Sequence, residues 1–279
     1  AYNLVKEGED LLGKASREAN QKANRLFLKA IDLDPNYVHA YSGLARCIVQ
    51  SPALSLNKPN DVYPLAKKYA DQAFKLNPSH IDAKATKVSL TLQVDRAPVK
   101  AMQITKELLD QYPNNIRVLQ QVGRLLSFTG KSELAASTLK KGLELDPKNA
   151  TLHQHLAFSY LISGEEELAE FHNQKALELN PNFQFALHIR SLILSRYKRF
   201  EEVEEQLLKA IEADDQNPVS VMSLGIVYWR AGKTEESYKL LAELLDRRNF
   251  EYIKGGTVSY THLRAHETRH DLVCRLLLE

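Results

Sequence analysis

The chain is poor in cysteine, in long apolar stretches and in an excess of charge of either sign. Its 279 residues include only two cysteines, Cys47 and Cys274, so a network of disulfides cannot hold the fold together. No stretch approaches the roughly 20 consecutive apolar residues that a membrane-spanning helix needs. The 37 basic and 35 acidic side chains nearly cancel, which disfavours nucleic acid or a membrane surface as a partner.

Recognisable catalytic and cofactor motifs are also missing from the sequence. It contains no glycine-rich phosphate loop and no nucleophile elbow of the Gly-x-Ser-x-Gly type. His153 and His155 are two residues apart and fall on opposite sides of a helix, and His172 stands alone in the pattern. We therefore expect no enzyme, no bound cofactor and no metal site.

The segment 258–279 resembles the translation of a sequencing adapter. The strings VSYTHLRAHE and DLVCRLLLE match the two adapter arms in one reading frame, with a short spacer between them. His262, His266 and His270 recur every fourth residue, a spacing that on a helix could hold a metal ion, but the adapter explains them without chemistry. We expect this segment to be an artefact and the preceding 252–257 to be the truncated start of a further helix. Cys47 then remains as the one genuine cysteine, expected to be a buried structural thiol.

What the chain does contain is a repeat closed by proline. The segments 116–149 and 150–183 are each 34 residues long and carry the similar strings GLELDP and ALELNP near their ends. The strings AIDLDP and AFKLNP occur earlier, at 30–35 and 73–78. Self-similarity at this period is typical of a stacked array in which each unit covers its neighbour's apolar face.

Each repeat reads as two helices joined by a short turn. In 116–149, Leu119, Val122 and Leu126 recur at helical spacing and predict a first helix, which Gly130 then ends. The apolar pattern that follows predicts a second helix ending before Pro147. Small residues on both helices are expected to let them approach closely, among them Gly123, Ala135 and Gly142.

The repeat predicts about seven units over 1–251. Their predicted bounds are 1–37, 38–80, 81–115, 116–149, 150–183, 184–217 and 218–251. Several units depart from the pattern. Lys198 replaces the turn glycine in the sixth, and the second has an extra loop from Ser51 to Asp61.

These units resemble the tetratricopeptide repeat family. The matching residues in 150–183 are Leu156, Ala157, Tyr160, Gly164, Ala169, Ala176 and Pro181. The resemblance implies an all-α, right-handed superhelical solenoid whose first helices line the concave side. A finer resemblance, in the order of segments 29–37, 40–45 and the long loop after them, is to the repeat region of bacterial class III adenylate/guanylate cyclases and winged-helix transcriptional regulators.

The resemblance also implies a partner-binding groove on the first helices. A groove that mixes arginine, glutamine and aromatic side chains suits an extended peptide or a helix of a protein partner. The carboxylate clamp of chaperone-binding repeats is not expected, because Gly43, Asp82 and His155 stand at its positions. The predicted groove residues are His39, Arg46, Arg117, Gln120, Arg124, Phe128, Gln154, Phe158, Phe185, His188, Arg196, Met222, Trp229 and Arg230.

We therefore expect a non-catalytic protein-interaction scaffold that binds neither nucleic acid nor membrane. Because the sequence begins with Ala1 rather than Met, we expect an upstream part to be missing. The finer resemblance implies that the array is the C-terminal regulatory part of a larger bacterial signalling protein. The alternatives are a repeat region that delivers substrate to a fused glycosyltransferase or peptidase, and a free-standing assembly scaffold. The expected compartment is the cytoplasm, or the periplasm if an upstream part carries a membrane helix. We make no prediction of oligomeric state.

Overall fold

The computed structural model describes residues 1–14, 16–52, 54, 57–93, 95, 97–213 and 218–248. The segments 252–257 and 258–279 lie outside the described residues. The structure is 82% helical, and its described part holds no strand, which confirms the all-α prediction. The described residues form fourteen helices, which are α1 Tyr2–Gly13, α2 Arg17–Leu33, α3 Val38–Gln50, α4 Pro59–Leu76, α5 Ile81–Gln93, α6 Pro98–Gln111, α7 Ile116–Phe128, α8 Ser132–Leu145, α9 Ala150–Ser163, α10 Glu166–Leu179, α11 Gln184–Arg196, α12 Phe200–Ala213, α13 Pro218–Arg230 and α14 Thr234–Arg248.

The helices form seven consecutive helix–turn–helix pairs. The turns after α7, α9 and α13 contain Gly130, Gly164 and Gly232 at φ of 76°, 81° and 79°, in the left-handed region that favours glycine. Lys198 adopts the same conformation after α11, with φ of 59°. The predicted extra loop is shorter than expected, because α4 begins at Pro59, where proline suits the first turn of a helix.

Successive pairs are joined by turns that follow the proline pattern. Asp146 and Asn180 leave the helical conformation immediately before a proline, as the steric restriction on that position requires. The next first helices are then capped by side chains. Asn115 Oδ1 accepts from the backbone N–H of Val118 at 3.2 Å, and Asn149 Oδ1 accepts from Leu152 at 3.1 Å.

Small residues sit where the helices cross most closely, as predicted. Leu139 packs directly over Gly123, and a Cβ on Gly142 would lie 3.0 Å from a methyl carbon of Leu152. In the first two pairs the fully buried ring of Phe27 lies between Gly8 and Gly43. These contacts hold the two layers of helices together by close packing.

Cys47 is a buried structural thiol, which confirms its expected role. Its Sγ donates to the carbonyl of Asn20 at 3.2 Å, and the Asn20 amide donates back to the carbonyl of Cys47 at 3.1 Å. Burial raises the pKa of the thiol to about 12, so it stays protonated and unreactive at neutral pH.

The array curls enough to bring distant units together. Asn180, in the turn after α10, donates from Nδ2 to the backbone carbonyl of Lys14, at the end of α1, at 3.1 Å. This contact joins the first pair of helices to the fifth.

Candidate partner-binding groove

The odd-numbered helices pack side by side along the array and form one continuous face. The layer of odd-numbered helices is here called the groove face, and all fourteen predicted binding residues lie on these helices. The even-numbered helices form the other layer. The predicted residues differ in how much of each side chain stays exposed to solvent after the helices have packed.

A charged cluster lies at the beginning of the groove face. Glu9 Oε2 on α1 accepts hydrogen bonds from both Arg46 on α3 and Arg117 on α7. Arg117 Nε also pairs with Asp82 Oδ1 on α5 at 3.1 Å. Burial raises the pKa of Asp82, although the charge of Arg46 opposes that shift. These four residues are called the Glu9 cluster. Arg46 and Arg117 were predicted to bind a partner, whereas Glu9 and Asp82 were not among the predicted binding residues.

A cavity of about 600 Å³ opens beside the Glu9 cluster, where α3, α5 and α7 begin. Asp82 and Arg117 belong to its lining, together with His39, His80 and Asn115. The rings of His39 and His80 meet edge to face with centroids 4.6 Å apart. Burial, helped by the neighbouring His39, lowers the pKa of His80 to about 4, so its ring is neutral and its Nδ1 can accept from the Ala83 N–H at 3.3 Å.

Arg124 lies at the centre of the groove face. Its Nη2 donates to Ser89 Oγ at 2.9 Å and to Gln121 Oε1 at 3.0 Å, which ties α7 to α5. Burial lowers the pKa of Arg124. Burial first, and then the Arg124 charge, lower the pKa of His155 to about 3. His155 is therefore neutral, and Arg124 is the positive charge at this point of the groove face.

Other predicted polar residues also make contacts between neighbouring units. Gln120 Nε2 donates to Asn149 Oδ1 at 3.0 Å, and the buried His188 ring meets Ser223 Oγ at 2.8 Å. Gln154 is buried as well. The hydrogen bonds of Gln120 and His188 show that groove-face polar residues hold the array together.

Exposed aromatic rings also lie on the groove-face helices. Phe128, which is 41% exposed, meets Phe158 with ring centroids 5.3 Å apart, and the Arg124 guanidinium lies 6.0 Å from the Phe128 ring centroid. Trp229 on α13 is 38% exposed. These rings present apolar surface beside a buried cation.

The remaining predicted residues are half-buried or lie at the edge of the groove face. Phe185 is half-buried against Phe183, at 6.5 Å between ring centroids, and Met222 and Arg230 are half-buried on α13. Arg196 ends α11 and pairs with Glu166 on α10, so it lies at the edge of the groove face.

His172 is not alone, and that expectation is wrong. Its Nδ1 lies 3.0 Å from Nδ1 of His153, and its ring stacks on Tyr160 with centroids 5.6 Å apart. Burial is the main cause that lowers the pKa of His172 to about 4, and the charge of His153 adds to it. The sequence signal was available, because His172 falls on the packing face of α10. Among the described residues no group of three or more His, Cys, Asp or Glu side chains could hold a metal ion.

None of the described helices combines the length and the apolar character needed to cross a bilayer. A family model described as a tetratricopeptide repeat matches residues 116–149, the pair formed by α7 and α8. No curated protein sequence matches the chain.

Solved structures with tetratricopeptide repeats are similar to the whole array. Cut9 with Hcn1, from the APC/C, matches at a TM-score of 0.72 and 12% identity over 87% of this chain and 45% of that one. A tetratricopeptide repeat protein of Parabacteroides merdae matches at 0.57 and 13% identity, over 100% and 98%. Human IFIT1 with m7Gppp-AAAA matches at 0.57 and 18% identity, over 88% and 71%.

At these identities the likeness establishes the fold, which is a superhelical tetratricopeptide solenoid of about seven units. Tetratricopeptide repeats generally mediate protein–protein interaction, and proteins with this fold are generally non-catalytic scaffolds.

Proposed function

We propose that the array, over units spanning 1–251, is a protein-interaction scaffold that binds a peptide or helix of a partner on its groove face. One observation carries the proposal: Phe128 is exposed and pairs with Phe158 above the Arg124 guanidinium. Aromatic and arginine side chains are the residues that most often dominate binding energy at protein interfaces. Trp229 offers a second exposed ring further along the same face.

The charges favour a protein over a nucleic acid. Binding of a nucleic acid strand is dominated by contacts between several cationic side chains and successive phosphates. Here Arg46 and Arg117 already meet the Glu9 and Asp82 carboxylates, so this part of the face is balanced in charge. The RNA-bound IFIT1 structures share the fold, but the charge balance of this groove face argues for a peptide.

Site-specific photo-crosslinking tests the proposal. A photoreactive phenylalanine analogue is placed at Phe128 or Trp229, and as matched controls at Phe171 or Tyr238, which are exposed on even-numbered helices at 54% and 52%. The two groove positions should crosslink a protein in cell extract at least several-fold more than the controls. Equal crosslinking on both layers, or a crosslinked species destroyed by nuclease, would contradict the proposal.

We further propose that the array is the C-terminal regulatory part of a larger bacterial signalling protein, either a cyclase or a winged-helix regulator. The support is the resemblance in the opening segments. Reading the DNA upstream of Ala1 tests it. A cyclase or winged-helix domain there is the expected result. A glycosyltransferase or peptidase domain would favour the substrate-delivery alternative, and an immediate start codon would favour a free-standing scaffold.

A further inference from the structure

The Glu9 carboxylate is held by two arginines in the way that a protein holds a bound anionic ligand. A single carboxylate oxygen of Glu9 receives hydrogen bonds from two guanidinium groups, contributed by α3 and by α7. Arginine pairs that converge on one carboxylate are a common way for proteins to recognise an anionic group. In this protein the recognised carboxylate belongs to α1 of the same chain.

The contact can be reached from the groove face. The Glu9 side chain is 23% exposed and that of Arg117 is 38% exposed, whereas Arg46 is 12% exposed and forms the deeper wall. The adjoining cavity of about 600 Å³ shares Arg117 and Asp82 with the Glu9 cluster. An incoming side chain therefore has a route to Arg117 and space beside it, and it meets Arg46 as the deeper of the two arginines.

We propose that Glu9 occupies the site at which Arg46 and Arg117 bind an acidic side chain of the partner peptide. The partner binds when its acidic side chain replaces Glu9 on these arginines. This inference rests on the proposed function, because it assumes that a peptide binds the groove face. When one carboxylate replaces another, both arginines keep a carboxylate partner, so no guanidinium is left buried and unpaired. Glu9, already partly exposed, returns to water.

The surrounding charge selects a single carboxylate over a run of phosphates. Asp82 lies 3.1 Å from Arg117 and stays in place when Glu9 leaves. A polyanion that followed the groove would bring negative charge against Asp82, which is unfavourable in a partly buried site. A peptide with one Asp or Glu among neutral residues avoids this repulsion.

Self-occupation by Glu9 should weaken partner binding by a measurable factor. If the arginines are free of Glu9 in about 10% of molecules, the apparent affinity for an acidic peptide falls about tenfold. Glu9→Gln removes the competing charge with little change in shape and should recover that factor. Glu7→Gln is the matched control, because Glu7 is an exposed residue of the same helix and its substitution changes net charge equally.

The experiment selects peptides from a random library displayed between two fixed domains, so that no free terminal carboxylate is present. Wild type, E9Q, E7Q and the double variant E9Q/R117Q are selected in parallel. The affinities of the recovered peptides and of a single-stranded oligoadenylate RNA are then measured by fluorescence anisotropy. Circular dichroism confirms that each variant is folded. If E9Q does not fold, Glu9→Asp replaces it, because its shorter side chain withdraws the carboxylate from the arginines.

The expected result is that peptides recovered with E9Q share an Asp or Glu, bind E9Q about tenfold more tightly than wild type or E7Q, and lose this preference with E9Q/R117Q. Recovered peptides without a shared acidic residue, or with equal affinity for wild type and E9Q, would overturn the inference and leave the proposed function standing. Failure of every variant to recover a peptide, or tighter binding of the RNA than of any peptide, would overturn both.

Discussion

Substitution of Gly43 by alanine should destabilise the array although alanine is the better helix former. Gly43 lies inside α3, where alanine is favoured by about 1 kcal/mol over glycine. A Cβ at this position would lie 2.7 Å from Cζ of Phe27 and closer still to another ring carbon. The ring has little room to move, because it also packs closely against Gly8, where a built Cβ would be 2.8 Å from the same Cζ.

The expected cost follows from two opposing contributions. Overpacking of a filled core costs about 1–3 kcal/mol. The helix-propensity gain of about 1 kcal/mol offsets part of this cost, which leaves a net destabilisation of up to about 2 kcal/mol. Because Phe27 is fully buried and packs in the first core cluster with Leu44 and Ala45, the effect should be felt in the first two units.

Urea unfolding followed by circular dichroism measures this difference. Gly13→Ala is the control, since a Cβ on Gly13 at the end of α1 meets nothing within 4 Å. It should be neutral or slightly stabilising. Phe27→Leu should partly rescue Gly43→Ala, with a coupling of about 1 kcal/mol in a double-mutant cycle. The reasoning is refuted if Gly43→Ala is as stable as Gly13→Ala, or if the two substitutions are additive.

Two further predictions concern a strained turn and a buried histidine pair. Lys198→Gly should stabilise the array by about 0.5 kcal/mol, because the left-handed φ of 59° costs a lysine about 1 kcal/mol and the greater freedom of glycine in the unfolded chain cancels part of the gain. Gly164→Lys should do the reverse, and a thermal midpoint that moves the same way in both variants would contradict this. Because the pKa of His172 is lowered from 6.5 to about 4, its neutral form is the one that stabilises the fold. Stability is thus fully present above pH 6.5 and decreases as the pH falls towards 4, by an amount on the order of 1 kcal/mol between pH 7 and pH 5. Urea midpoints at these two pH values should differ less in His172→Gln, and an unchanged difference would rule out this cause.

The helices could be predicted from the sequence because their determinants are local. Gly130 ends α7 through its own backbone conformation, and Pro147 restricts the residue beside it whatever the rest of the chain does. Lys198 also shows that a turn can keep its shape without glycine, since the flanking helices impose the left-handed conformation. The 34-residue period and the glycine and proline residues of the turns are therefore enough to predict the fold class.

For the candidate site, the sequence predicted which helices carry the residues but not which residues contact each other. Helical spacing places Arg117 and Arg124 on the first helices, but it contains no information on which of them meets Glu9 or Ser89. Such contacts depend on the curvature of the superhelix, which accumulates from a small rotation at every unit. The contact between His153 and His172 is different, because both lie in one helix pair and the position of His172 on the packing face of α10 was a sequence signal for it.

The hydrogen bond from Asn180 to Lys14 changes how the array should unfold. A solenoid in which each unit touches only its neighbours behaves as a linear chain whose stability is a sum of unit and interface terms, and its ends fray independently. Here the first unit is also held by the fifth, so the array is a partly closed loop. Fraying of α1 breaks this bond and releases the Asn180 side chain, so amide exchange near Lys14 should rise when Asn180 is replaced by alanine.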